Sequence, residues 1–272
     1  MSSRLTSLSL SALAWLGFVV VMLWTVGFLA GVVVPRTVDG PARTPTGFAV
    51  AADLGLLGLF AVQHSVMARR GVKSWLRRRI PASLERTTFV LATDVCLVAL
   101  LVLWQPWGGQ LWDLDGPAAV VLWSLCAAGW LLATTATFAV DHLELTGLRQ
   151  AGWAPRKSSA PITELQTGGL YAVVRHPLLT GMLLAFWATP QMGASHLLFA
   201  VASTAYIAVG VRFEERDLRR SFGASYDAYA ARVPALLPGL PMRRVPVSIA
   251  ASLPAKTGGQ DQVRAGEGEA PR

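Results

Sequence analysis

Long apolar blocks separated by short polar stretches dominate this chain, covering residues 8–34, 48–67, 87–104 and 117–140. At about 1.5 Å rise per residue, each is long enough to cross a bilayer as a helix. Two further blocks, beginning at Pro177 and Leu197, read as shorter. Residues 177–189 measure about 20 Å as a helix, less than the roughly 30 Å hydrocarbon core. The last two blocks are therefore expected to form a short hairpin, turning at Pro190-Gln191-Met192-Gly193 and shielded by the other spans. Beyond it, residues 216–232 place Leu218, Phe222, Tyr226 and Tyr229 near one face, which predicts an amphipathic helix folded against the membrane.

The expected fold class is all-α: a polytopic membrane helix bundle of about six apolar segments, the last two a short hairpin, plus a C-terminal amphipathic helix. Residues 1–241 read as a single membrane domain. From residue 242 onward Pro, Gly, Ala and charges follow one another without periodicity, so residues 242–272 are expected to be a disordered cytoplasmic tail. The first block is too long for a signal-peptide core and has no convincing small-x-small cleavage site, so it is expected to remain as an anchor.

Composition agrees with this class, at 53% hydrophobic and 15% charged residues. A net charge of +8 suggests nucleic acid only until its placement is considered. Arg69, Arg70, Lys73, Arg77, Arg78, Arg79 and Arg86 crowd the loop after the second block, with Glu85 the only acid there. The turn at 105–116 has two Asp and no Lys or Arg. By the positive-inside rule the first loop is cytoplasmic and the second external. Both termini are then cytoplasmic in a bacterial-type inner membrane, and no nucleic-acid role is expected. Cys96 and Cys126 both fall inside spans and suggest neither a disulfide framework nor a metal site.

Candidate chemistry collects around residues 168–215. Pro177 suits the first position of a helix, because its φ is preset and its missing N–H would be unpaired there anyway. Arg175 and His176 stand immediately before this helix start, a place suited to a carboxylate or phosphate. At the other edge, Glu214 and Glu215 follow an apolar run where acids are costly unless paired. Neighbouring helical residues point about 100° apart, so at most one of the two faces a common pocket squarely. Its partner is expected to be a cation, either Arg175, Arg212 or a ligand; a solvated helix end with an i,i+4 pair between Glu215 and Arg219 is the plainer alternative. Three of the four histidines, His64, His142 and His176, fall at the cytoplasmic end of their blocks, with Gln63, Asp141 and Glu144 nearby; His196 falls at the outer turn. The grouping suggests a polar chamber opening to the cytosol. No recognisable metal-ligand spacing occurs, so no metal is expected.

The stretch Gly169-Leu170-Tyr171-Ala172-Val173-Val174-Arg175-His176-Pro177-Leu178-Leu179-Thr180-Gly181, followed by Glu214-Glu215-Arg216-Asp217-Leu218, Phe222-Gly223, Tyr226, Tyr229 and Arg232-Val233-Pro234, resembles the membrane methyltransferases typified by isoprenylcysteine carboxyl methyltransferase and bacterial phospholipid N-methyltransferases. Residues 63–69, 147–150, 186–190 and 196–200 look most similar to the methanethiol S-methyltransferases, and the related NnrU group shares the early histidine segment. The resemblance implies S-adenosylmethionine as methyl donor, held between the hairpin and the C-terminal helix. It implies that Arg175, His176 and Pro177 hold the cofactor's carboxylate end, and that Glu214 or Glu215 holds its ammonium or ribose. The family often has an aromatic residue where this chain has Leu179, so any contact from that side chain must come from elsewhere, with Tyr171 the candidate.

A small thiol is mostly protonated near neutral pH, since even cysteine titrates near roughly 8.5. His64 and His142 are the candidates to accept its proton, with Asp141 as orienter. Met67, Phe186 and Trp187 are the candidate lining of an apolar acceptor pocket. The expected activity is methylation of methanethiol to dimethyl sulfide at the cytoplasmic side, with the thiol and the bilayer as partners. Two alternatives stay open at this point: a methyltransferase acting on a lipid amine or prenylated carboxylate, and a non-enzymatic haem carrier using His64, His142 or His176.

Overall fold

A computed structural model describes residues 2–155 and 165–239. The expected tail at 242–272 lies outside the described residues, as do Arg156 and Lys157. The chain forms α1 (Ser2–Ala30), α2 (Thr46–Met67), the short basic α3 (Arg70–Arg77), α4 (Glu85–Leu103), β1 (Gln110–Asp113), α5 (Gly116–Val140), the single turns α6 (His142–Leu145) and α7 (Leu148–Ala151), α8 (Pro177–Trp187), β2 (Gln191–Gly193), α9 (Ala194–Phe222) and α10 (Ala224–Ala230). Among the described residues, α1, α2, α4, α5 and α9 are long and apolar enough to cross a membrane, while α8 is a shorter apolar helix. The protein is a multi-pass membrane helix bundle.

Two expectations about the last hairpin need correction. Only its first arm is short: α8 has 11 residues, but α9 has 29 and continues through Glu214 and Glu215 to Phe222. No Gly or Pro interrupts it between Val211 and Phe222, and its Arg and acid side chains lie three or four residues apart, where they support a helix. The amphipathic helix expected at 216–232 is consequently divided. Gly223 has φ +52, a conformation that side-chain-bearing residues rarely adopt, and it separates α9 from the seven-residue α10. The apolar face was nevertheless correctly grouped: Tyr226 and Tyr229 are buried, with Leu218 and Phe222 packed against them.

The turn between α8 and α9 adds a feature the hydrophobic pattern does not announce. β2 pairs antiparallel with β1, with Trp112 opposite Met192, at the end of α4 away from the basic α3. Asp39 closes this end, its Oδ2 accepting from Gly193 N–H at 2.7 Å and its Oδ1 from His196 N–H at 2.9 Å. His196 Nε2 stands 3.0 Å from the Phe186 carbonyl, tying the start of α9 to the end of α8.

The core runs through Phe28, Leu101, Trp104, Phe186 and Phe199. Phe186 and Phe199 meet edge to face at 5.1 Å, and the Trp104 indole donates to the Val38 carbonyl at 3.1 Å. The arrangement that matters most for the site is the crossing of α5 and α8. A Cβ added at Gly181 would come within 2.6 Å of the Gly129 carbonyl oxygen, and one at Gly129 within 2.7 Å of the Gly181 oxygen. Backbones approach this closely only because neither residue has a side chain. That contact fixes the short α8, and hence the residues at its start.

Candidate active site

Arg175 and His176 lead into α8, whose first residue is Pro177 as the sequence predicts. The chain beyond α10 lies along this start. Arg175 N–H donates to the Pro234 carbonyl at 2.9 Å, His176 N–H to that of Ala235 at 3.1 Å, and the Thr180 hydroxyl to that of Leu236 at 2.7 Å. The Arg175 guanidinium then joins three elements. Nε donates to Glu215 Oε1 at 2.9 Å and Nη2 to the same oxygen, while Nη1 donates to the carbonyls of Ala230 and Val233 at the end of α10. A cation is favoured at a helix C-terminus, where carbonyls lack intrahelical partners.

The two glutamates separate as helical geometry requires. The Glu215 side chain is 12% exposed and faces Arg175; that of Glu214 is 56% exposed. His176 lies between them, Nδ1 3.4 Å from Glu214 Oε2 and Nε2 3.5 Å from Glu215 Oε1. Burial disfavours its cation, but hydrogen bonding to and charge on the two carboxylates outweigh that and raise its pKa to about 9. His176 is therefore an imidazolium at neutral pH. Arg219 supports the array from the next turn, 3.5 Å from Glu215 and 3.2 Å from Asp227, with its guanidinium 5.5 Å from the centre of the Tyr226 ring. Burial, then the charge of Glu215, push the Tyr226 phenol up to about 12.

Tyr171 belongs to the same group. Its carbonyl accepts from the Tyr229 hydroxyl at 2.7 Å, and its own phenol is raised first by burial and then by the charge of Glu214. The structure thus brings Tyr171, Arg175, His176, Pro177, Glu214 and Glu215 to one place. The other candidates lie apart from it. His64, on α2, packs between the Phe60 ring at 5.5 Å and the Phe89 ring at 4.9 Å. Asp141 has φ +91 and caps α6 through Glu144 N–H; it also accepts from Arg149 Nη2 at 2.7 Å. The His142 ring packs against Phe138 at 4.4 Å. Phe186 and Trp187 occupy the far end of α8 from His176, about 15 Å along its axis. There Phe186 is in the core and Trp187 Nε1 donates to Thr204 Oγ1 at 2.9 Å. Met67 accepts from Gln63 Nε2 through Sδ at 3.2 Å.

Sequence reasoning quoted Val233, Pro234 and Thr180 as motif positions but gave them no role, and it missed Ala235 and Leu236, because the segment contributes backbone carbonyls with no side-chain signature. Among the described residues, no group of three or more His, Cys, Asp or Glu side chains is arranged to hold a metal.

Comparison with known proteins adds to this geometry. The model of the NnrU protein family matches residues 54–220. The chain is 47% identical over 238 residues to the methanethiol S-methyltransferase of Mycobacterium tuberculosis, covering 86% of this chain and 97% of that protein. It is 44% identical over 244 residues to methanethiol S-methyltransferase 2 of Bradyrhizobium diazoefficiens, covering 90% and 94%. Nurim of Sus scrofa is 32% identical over 179 residues, covering 62% of this chain and 68% of that protein. No solved structure matches.

Proposed function

Since the chain belongs to the methanethiol S-methyltransferase family, within the NnrU family, we propose that it methylates methanethiol to dimethyl sulfide with S-adenosylmethionine, at the cytoplasmic side of the membrane. The observation that carries the donor assignment is the array at the start of α8. The amino-acid end of S-adenosylmethionine is a zwitterion and needs one acid and one cationic or N–H-rich partner. Glu214 offers a half-exposed carboxylate, and the buried His176 imidazolium stands beside it at a helix N-terminus. His176 Nε2 has only a long ion-pair contact, 3.5 Å from Glu215 Oε1, so its N–H can still take a closer acceptor. The residues fit the group.

In this reading Glu214 takes the ammonium, and His176 with the start of α8 takes the carboxylate. Arg175 holds Glu215 and the end of α10 in place around them, and Tyr171 supplies the hydroxyl that Leu179 cannot. When bound, S-adenosylmethionine supplies an electrophilic methyl group. The protein's part is to orient the acceptor, keep water away and receive the thiol proton. His64 is the candidate acceptor of that proton, with His142 as the second choice and Asp141 as orienter. A site poor in water leaves the thiolate weakly solvated, and alignment of the reacting atoms contributes further. The family membership sets aside the haem carrier.

The test uses membranes carrying the full chain, supplied with methanethiol and S-adenosylmethionine, with headspace dimethyl sulfide measured. Dimethyl sulfide should form and should disappear in the Glu214→Ala, Glu215→Ala double variant. Absence of product with intact S-adenosylmethionine binding would reject the thiol and direct attention to lipid amines and prenylated carboxylates.

A further inference from the structure

We propose that the acceptor thiol binds in the seam where α2 meets α4 and α9, with the side-chain amide of Gln63 as the hydrogen-bonding partner of its sulfur. The inference rests on the methyltransferase reading and adds where the acceptor sits and which residue selects it.

Three observations converge on this seam. Gln63 Oε1 and His64 Nδ1 are both buried and both lack a hydrogen-bond partner among the described residues. A buried polar group left unsatisfied is destabilising, so two neighbours in that state call for an occupant. Secondly, Gln63 Nε2 already donates to a sulfur, Met67 Sδ, at 3.2 Å, with Thr93 Oγ1 of α4 at 3.5 Å. The end of a methionine side chain is a carbon–sulfur–carbon unit, the same fragment as dimethyl sulfide. The seam therefore holds, from its own chain, a copy of the product's functional group against an amide donor. Methionine has three rotatable bonds and withdraws easily. Thirdly, the walls are aromatic: the Phe60 and Phe89 rings flank His64.

The chemistry of the amide matches an S–H group at both stages. Its oxygen accepts from the thiol, and its N–H donates to the sulfur once the proton has gone. A thiolate is a stronger acceptor than a thioether, so it displaces Met67 from the donor. In the transfer, the S–H electron pair stays on the acceptor sulfur while the proton passes to a ring nitrogen of His64. That sulfur's lone pair forms the new carbon–sulfur bond as the donor's sulfonium–methyl bond breaks, its pair remaining on the donor sulfur. His64 then releases the proton to water.

The seam also leads toward the cofactor residues. Ser65 Oγ lies 3.3 Å from the Tyr206 hydroxyl of α9, and the Arg69 guanidinium lies 5.1 Å from the centre of the Phe213 ring. Phe213 immediately precedes Glu214 in α9. Phe186 and Trp187, by contrast, stand at the other end of α8, Phe186 beside His196 and Trp187 against Thr204.

Two measurements on the purified full-length protein test this. In Gln63→Leu, kcat/KM for methanethiol should fall about 10- to 100-fold through loss of a hydrogen bond to a charged group, while S-adenosylmethionine Kd stays within about twofold. In Met67→Ala, the kcat/KM of ethanethiol relative to methanethiol should rise about 4-fold, since the space opened takes the one extra methylene of ethanethiol. The second measurement needs no cofactor. The protein labelled with 13C in the methyl groups of its six methionines is titrated with methanethiol, the Met67 signal being assigned by Met67→Leu. That signal should shift, and the shift should be lost in Gln63→Leu. Unchanged kinetics in Gln63→Leu, equal loss of cofactor affinity, or a Met67 signal indifferent to thiol overturns the proposal while wild-type dimethyl sulfide formation leaves the function standing. A thiol-dependent shift without dimethyl sulfide formation supports the binding site and overturns the turnover reading instead.

Discussion

Glu214 and Glu215 are chemically identical neighbours, and their roles differ because one step along a helix turns a side chain by about 100°. Glu215 points inward onto Arg175, whose side chain is 4% exposed. Removing the acid leaves a buried guanidinium uncompensated, which costs about 3–5 kcal/mol. Glu215→Gln should therefore lower the melting temperature in detergent markedly, with cofactor affinity falling as a consequence. Glu214→Gln should cost less stability than Glu215→Gln, because it removes only the His176 ion pair to a half-exposed carboxylate and leaves Arg175 paired. It should weaken S-adenosylmethionine binding about 10-fold or more through loss of a charge-assisted contact. Thermal unfolding and calorimetric titration of both variants decide this, and equal effects of the two would refute the division. His176 supplies a pH test. Its folded pKa of about 9 lies above the ordinary 6.5, so its ion pairs contribute stability that is fully present below about pH 6.5 and lost as pH rises through about 9. The melting temperature of the wild type should fall over that window, and His176→Gln should flatten the fall. The residue identities were legible from the motif; which glutamate turns inward was not, because it depends on the phase of α9 against α8.

At the scale of elements, the short α8 positions the site because α5 holds it. The sequence reading took Gly181 as part of a motif and passed over Gly129 altogether, since a glycine inside an apolar block has no distinctive signal. Only the crossing shows that a Cβ at Gly181 would meet the Ala133 nitrogen at 2.5 Å. Gly181→Val should cost about 1–3 kcal/mol by overpacking, and in practice shift α8 away from α5. Cys126, buried at this crossing with its thiol 3.6 Å from the Ala185 carbonyl, reports the shift. It should become reactive to maleimide in Gly181→Val and stay protected in the wild type; continued protection alongside unchanged stability would contradict this account. The end of the hairpin illustrates the opposite case. The Glu and Arg spacing through 214–220 already contained the helix that α9 proves to be, but charge next to an apolar block was read as a boundary. Gly223 was the true stop, and its positive φ is a property of the folded chain.

For the whole molecule, the distribution of Arg and Lys predicts that the basic α3 faces the cytoplasm and the turn before α5 the outside. Ser74 lies in the basic α3 and Asp115 in the acidic turn before α5, both exposed. Cysteines introduced at these positions should be labelled by a membrane-impermeant maleimide from opposite sides, Ser74→Cys only after the cytoplasmic face is opened. Labelling of both from one side would overturn the orientation. The spans, their order and the charge of their loops follow from the chain itself, because insertion into a bilayer is decided segment by segment through the transfer of apolar side chains and the cost of moving Arg and Lys. The Arg-His-Pro helix start was likewise readable, since the geometry of proline is local. Contacts between segments distant in the chain were not readable. Arg175 meets Glu215 and the carbonyls of Ala230 and Val233, and segment 233–236 pairs with the start of α8, only after five helices have set their crossings and phases. Hydrophobicity places a helix in the membrane without fixing its rotation or its neighbours, because lipid and protein interior are nearly equal as apolar surroundings. Packing of small residues and satisfaction of buried charges make that choice, and both exist only in the folded protein.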